Sequence, residues 1–215
     1  SVKENDLSDR EGFDQMFINL VKNLEKLGYQ VSCFDSAKEA SLYLNSQIDH
    51  QTVGFGGSMT LEQMGLFDSL SKHNTVYWHQ GISDQEDSKN MRMKANAAAI
   101  YISSVNGIAE TGEIINIDGN CNRIASMVYG HEKVYFVIGK NKLAKDYDSA
   151  LYRARNTAGP LNAKRLGAKT PCAADAKQCY DCSSPERICR GLSVLWGKPM
   201  TGEYEVILID EVLGY

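Results

Sequence analysis

Thr52-Val53-Gly54-Phe55-Gly56-Gly57-Ser58-Met59-Thr60 is the stretch whose reading decides the fold. Thr52 to Phe55 is a short run of strand-favouring residues, and it passes through a glycine turn directly into a helical pattern. From Thr60 to Ser71, Leu61, Met64, Phe67 and Leu70 fall on one side of that helix.

The alternation continues on both sides. Upstream, Phe13, Met16, Phe17, Leu20, Val21, Leu24 and Leu27 recur at helical spacing, and Gly28 stops the pattern where a left-handed cap is wanted. Tyr29 to Phe34 reads as a strand, and Ser36 as the N-cap of a helix carrying Ala40, Leu42, Tyr43, Leu44 and Ile48. Downstream, Thr75 to Trp78 is a strand. Asp84 to Asn96 is a polar helix with acids early and Arg92 and Lys94 late, the order its dipole favours. Ala98 to Ile102, Glu113 to Ile117 and Val134 to Ile138 are apolar enough to be strands buried on both faces. Strands alternating with helices predict an α/β fold with a mainly parallel sheet that contains Val53, Val76, Ile100, Ile115 and Val137, with helices on both faces. Past Gly139, a helix spans Asp146 to Asn156, Gly159-Pro160 breaks it, and a short helix follows over Leu161 to Leu166. Trp196 to Pro199 is turn chemistry, and Glu205 to Asp210 is a strand expected as an edge or late addition to the sheet.

Two stretches could carry chemistry at the strand ends, where open α/β sheets bind ligands. Gly54, Gly56, Gly57, Ser58 and Met59 would let backbone N–H groups and a helix N-terminus approach an anion; the other reading is a tight strand-to-helix connection. Glu110, in Asn106 to Glu113, is a candidate catalytic nucleophile or general base, with Thr111 beside it as a candidate ligand-binding residue. Its alternative is a turn in which Glu110 is merely solvated. Asp118 to Arg123, including Asn120, could add polar groups to the same crevice. The expectation is that the glycine turn and the Glu110 loop meet at one sheet edge. The four histidines form no ligand pair at helical spacing, and Met91 and Met93 read as packing residues.

Cys172, Cys179, Cys182 and Cys189 crowd into one polar segment around a central Cys-x-x-Cys. Four thiolates suit zinc or an iron–sulfur cluster, and the spacing does not choose between them; two disulfides or reduced thiols are the alternatives. The chain of 215 residues is read as one domain, 1–215, with a cysteine-rich insertion at 170–192. Six cysteines and no secretion-type or membrane-spanning segment lead to the expectation of a cytoplasmic protein. A net charge of −4 argues against a nucleic-acid partner or an anionic membrane surface.

Taken in order, Gly54 to Thr60, Ala109-Glu110-Thr111-Gly112, Asn120 to Arg123 and Ser183-Ser184-Pro185-Glu186-Arg187-Ile188-Cys189 resemble the LUD domain of lactate-utilisation proteins, over roughly Phe13 to Leu208. The cysteine block is similar to that of the small single-domain members. The resemblance implies a three-layer α/β/α fold like that of the ribose-5-phosphate isomerase, glucosamine-6-phosphate deaminase and CoA-transferase superfamily. It also implies a role accessory to, or regulatory of, oxidation of L-lactate to pyruvate, with a small anionic metabolite as ligand and iron–sulfur proteins as partners. It raises the iron–sulfur reading of the four cysteines slightly above zinc. The tandem ferredoxin-type cysteine runs of the larger members are absent, so the chain by itself is not the electron-transfer chain. Glu110-Thr111-Gly112 is also similar to the Glu-x-Gly of CoA-transferases, which keeps an isomerase or CoA-transferase type of enzyme as the alternative.

Overall fold

The computed structural model describes residues 15–215, so Phe13 of the expected first helix lies outside the described residues. A parallel sheet of six strands forms the centre, in the order β1 (Gln30–Phe34), β10 (Glu203–Ile209), β7 (Lys133–Gly139), β4 (Ile100–Ser103), β2 (Thr52–Phe55) and β3 (Thr75–Tyr77). Val31 pairs with Val206, Val206 with Phe136, and Val53 with both Ile100 and Val76. The expected edge strand Glu205 to Asp210 is instead an interior strand. Its run Tyr204 to Ile209 is buried because β1 and β7 flank it and helices cover both faces.

Side chains alternate across the sheet and divide the core in two. On one face Val53, Phe55, Ile100, Ile102, Val137 and Ile207 pack against α2 (Ala37–Gln47), α3 (Met59–Gln63) and α4 (Leu66–Leu70). On the other, Val31, Tyr101, Phe136 and Val206 meet Phe17, Leu20, Val21 and Leu24 of α1 (Gln15–Lys26). Each such fully buried aliphatic side chain contributes about 1.5–3 kcal/mol by leaving water. Ser36 caps α2 as its sequence position predicts, accepting from the Glu39 N–H at 3.2 Å. The single helix expected over Thr60 to Ser71 is split into α3 and α4 at Gly65, which sits in the left-handed region. The Asp84 to Asn96 helix is α5 (Gln85–Asn96), with Asp84 as N-cap; Met93 is exposed on it rather than packed.

Ile115 does not belong to the parallel sheet. It lies in β6 (Ile114–Asp118) of a second sheet, ordered β8 (Leu143–Ala144), β5 (Gly107–Ala109), β6 and β9 (Gly191–Leu195). There β6 runs antiparallel to both β5 and β9. The hairpin arises because only four residues separate Ala109 from Ile114, too few for the crossover that a parallel pair requires. Ile108 and Ile114 face the core with α1, while Ala109 and Ile115 pack on Ala150 and Ala154. Gly159-Pro160 does not end the preceding helix: α7 (Tyr147–Arg153) passes through a π turn at Ala154–Ala158 into α8 (Gly159–Arg165), with Pro160 in its first turn. Among the described residues, no helix is long and apolar enough to cross a membrane.

Candidate functional site

The strand order places a crevice at the carboxyl ends of β2 and β4. From β2 the chain turns to α3 on one face of the sheet, and from β4 it turns to the second sheet on the other, so their loops part over neighbouring strands. The opening is a cavity of about 460 Å³. Gly57 to Met59 and Ser104 to Asn106 stand at its sheet side, and the β6 end, α8 and the segment Arg187 to Arg190 stand opposite.

Among the described residues, its walls carry six basic side chains, Arg92, Arg123, Lys142, Arg165, Arg187 and Arg190, against one carboxylate side chain, Asp118. That carboxylate is already engaged, accepting from the backbone N–H groups of Asn120 (3.2 Å), Arg123 (3.0 Å) and Ile124 (3.3 Å), where it caps α6 (Asn122–Val128). Arg123 is half-buried and ties the loops together. It donates to the Asn116 Oδ1 and Ile117 carbonyl at 2.7 Å, to Asn106 Oδ1 at 3.0 Å and to the Ser104 carbonyl at 3.2 Å. Burial lowers its pKa, with Asp118 and Tyr101 acting the other way.

Lys142, just beyond β7, is 3% exposed and has no carboxylate partner among the described residues. Its Nζ donates to Thr60 Oγ1 at 2.9 Å and to Ser104 Oγ at 2.8 Å. Burial, then Arg153 and Arg123, hold its pKa well below the ordinary lysine value. Arg153, which braces the Asn141 and Asn106 carbonyls, is itself pushed down to about 10 by burial. His79 also lines the crevice, and burial with nearby Arg92 lowers its pKa.

The residues singled out from sequence have different placements. Gly57, Ser58, Met59 and Asn120 line the crevice. The N–H groups around the glycine turn are already partly engaged: that of Gly56 donates to the Ile102 carbonyl at 3.0 Å, that of Ser58 to Gln80 Oε1 at 3.3 Å, and that of Leu61 to Ser58 Oγ. Gly56 lies behind, where a Cβ would press on Ser103 and Arg123, and Gly54 packs on the backbone of Ala95 in α5. Glu110 and Thr111 are not there, so the glycine turn and the Glu110 loop do not meet. The hairpin tip carrying them rests on α1: Asn19 Nδ2 donates to Glu110 Oε1 at 2.6 Å, and Asn23 Nδ2 to its carbonyl at 2.8 Å. The C-terminal end of α1 leads into β1 from below, so this tip lies toward the amino ends of the strands, away from the glycine turn. Thr111 bonds to Glu113 within the turn. Lys142 and Arg153 went unrecognised in the sequence; the signal for Lys142 was the Lys140-Asn141-Lys142 string that follows a buried strand at its carboxyl end.

All six cysteines are free thiols. Cys172, Cys179, Cys182 and Cys189 line one small cavity of about 20 Å³, closed by Thr170, Pro160 and Ile188. Arg187 Nε lies 3.2 Å from Cys189 Sγ, Arg155 Nη2 3.8 Å from Cys179 Sγ, and the Asp181 N–H 3.3 Å from the same sulfur. The donor set and these N–H groups fit a thiolate-bound metal, whose negative charge they would share. As placed, no three His, Cys, Asp or Glu side chains among the described residues form a ligating group. Arg187, Ile188 and Cys189 border this cavity and the basic crevice alike.

The sequence profile of the LUD domain matches residues 19–209. No curated protein matches the chain. Among solved structures, the chain is similar to a DUF162 family protein from Deinococcus radiodurans, determined by crystallography at 1.70 Å resolution. The TM-score is 0.53 at 10% sequence identity, covering 91% of this chain and 96% of that one, a likeness of fold.

Proposed function

Because the chain belongs to the LUD domain family, which is associated with lactate utilisation, we propose that its basic crevice binds a small anionic metabolite and that the protein is accessory to, or regulatory of, the oxidation of L-lactate to pyruvate. The supporting observation is the charge imbalance of the crevice, five arginines against one engaged carboxylate side chain among the described residues. Low-dielectric walls concentrate such a field, so the occupant is stabilised in proportion to its negative charge. The excess favours a ligand with more than one anionic group. Arg123 and Arg153 are committed to backbone carbonyls and shape the site; among the described residues Arg92 and Arg165 are held by neighbours on their own helices and by Tyr215, and can turn toward a ligand.

Cys172, Cys179, Cys182 and Cys189 would hold zinc or an iron–sulfur cluster, supplying a clamp on the Arg187 to Arg190 wall in the first case and a one-electron centre in the second. The alternative, an isomerase or CoA-transferase type of enzyme using Glu110, would need that carboxylate at the ligand; it is bonded to Asn19 instead.

Calorimetric titration with L-lactate, pyruvate and 3-phosphoglycerate tests the reading. Binding should strengthen with ligand charge and weaken with salt, and Arg92→Ala with Arg165→Ala should reduce it about tenfold or more, as loss of charged hydrogen bonds does. Absence of binding by all three at millimolar concentration overturns it. Metal analysis of anaerobically purified protein, compared with Cys182→Ser, tests the thiol site: metal content should fall in the variant, and unchanged content refutes the site.

A further inference from the structure

Lys142 is a buried amine that anion binding alone does not require. An anion receptor gains from groups that stay protonated, yet this amine is enclosed, flanked by two guanidinium groups and without a carboxylate partner among the described residues. Its surroundings suit the neutral amine. Thr60 Oγ1 has its own hydrogen directed at the Leu213 carbonyl, 3.3 Å away, and so accepts from Lys142. Ser104 Oγ accepts the second N–H. Two hydrogens on two hydroxyl oxygens leave the nitrogen lone pair unshared, and a third hydrogen would have no acceptor among the described residues. Desolvation beside other cations is the arrangement that makes a lysine nucleophilic near neutral pH.

We propose that Lys142 is a nucleophilic amine that forms an imine with the carbonyl of a small anionic compound held in the basic crevice, either a 2-oxo acid or a phosphorylated aldehyde or ketone. This rests on the anion-binding reading of the crevice. The Lys142 Nζ lone pair attacks the carbonyl carbon, the C–O π pair moves to oxygen, and a proton passes from nitrogen to that oxygen to give the carbinolamine. A proton from solvent then lets the hydroxyl leave as water, and the C=N⁺ bond forms from the nitrogen lone pair. No oxidant or reductant takes part. The ligand's carboxylate or phosphate faces the arginines, and the cationic iminium is acceptable there because the ligand brings its own negative charge.

Reductive trapping tests this. The protein is incubated at neutral pH with pyruvate, or with glycolaldehyde phosphate, in the presence of cyanoborohydride, then digested and mapped by mass spectrometry. The secondary-amine adduct should appear on Lys142 at least roughly tenfold faster than on exposed lysines, which are almost wholly protonated at that pH. An adduct with pyruvate alone identifies a 2-oxo acid, and with glycolaldehyde phosphate alone a phosphorylated carbonyl. Lys142→Arg should abolish the adduct, because a guanidinium has no nucleophilic lone pair at that pH; if that variant does not fold, the wild-type peptide map decides by itself. Adducts spread over exposed lysines with none on Lys142, while calorimetry shows the same probe bound, overturn the imine and leave the anion-binding reading standing. Neither binding nor adduct overturns both.

Discussion

A Cβ placed on Gly54 would overlap the backbone of Ala95, one on Gly56 would lie 2.5 Å from Ser103 Oγ, and one on Gly57 would meet nothing nearer than His79 at 3.6 Å. Three glycines in four residues therefore serve different ends, although their sequence context is the same. Gly54→Ala pits a methyl group against backbone that cannot yield, and should cost about 3 kcal/mol or more in a denaturant melt. Gly57→Ala should leave the melt within about 0.5 kcal/mol while narrowing the crevice and weakening anion binding. Equal destabilisation by the two would contradict the placement. Histidine titration belongs at this scale too. Burial lowers the pKa of His131 despite its Nδ1 bond to the Ala98 carbonyl at 2.7 Å. Burial and Arg92 do the same to His79. Below the unfolded value of 6.5 the unfolded chain binds protons that the folded chain refuses, so stability falls as pH falls through that region. His131→Gln should make the denaturation midpoint less sensitive to pH between about 7 and about 5; an unchanged slope counts against it.

At the scale of elements, α6 begins without a side-chain cap of the usual kind, because its N-cap residue Cys121 is left-handed and its side chain makes no capping bond. Asp118, at the end of β6, supplies the missing acceptor from outside the helix, and through Arg123 the same turn reaches the loop after β4. Asp118→Ala should cost about 1–2 kcal/mol, the usual cost of a lost cap, and Asp118→Asn less. A chemical melt of the two variants checks the order, and no loss in the alanine variant would show the cap to be idle. Local pattern was sufficient for α1, α2 and α5, where apolar spacing and caps act within a few residues. It was insufficient for the π turn at Ala154–Ala158 and for β9, whose exposed Leu192 and half-buried neighbours show no clear alternation.

For the molecule as a whole, β10 fills the gap between β1 and β7, so the last strand completes the sheet. Glu205 is buried at that seam, where Ser32 Oγ (2.8 Å), Tyr43 Oη (2.7 Å) and Lys133 Nζ (3.0 Å) from β1, α2 and β7 converge on it. Lys133→Met would leave the carboxylate buried without its cation and should cost about 3–5 kcal/mol; Lys133→Met with Glu205→Gln should recover part of that. Thermal melts of the single and double variants measure the coupling, and additive losses would show these groups to be independent.

The alternation of short apolar strands with amphipathic helices determined the α/β class, the mainly parallel sheet and the position of the glycine turn at a strand's carboxyl end, because each depends on contacts only a few residues apart. The order of strands depends on which pairs bury most surface across the whole chain, and only tertiary structure decided that β10 is interior and that β6 leaves the sheet. The site was divided in the same way. Gly57, Ser58, Met59 and Asn120 were legible as turn residues at strand ends. Glu110 was misplaced because a hairpin carried it to α1, where Asn19 and Asn23 hold it. Lys142 looks in sequence like any surface lysine; its burial between Thr60 and Ser104, distant in the chain, is what makes it chemical.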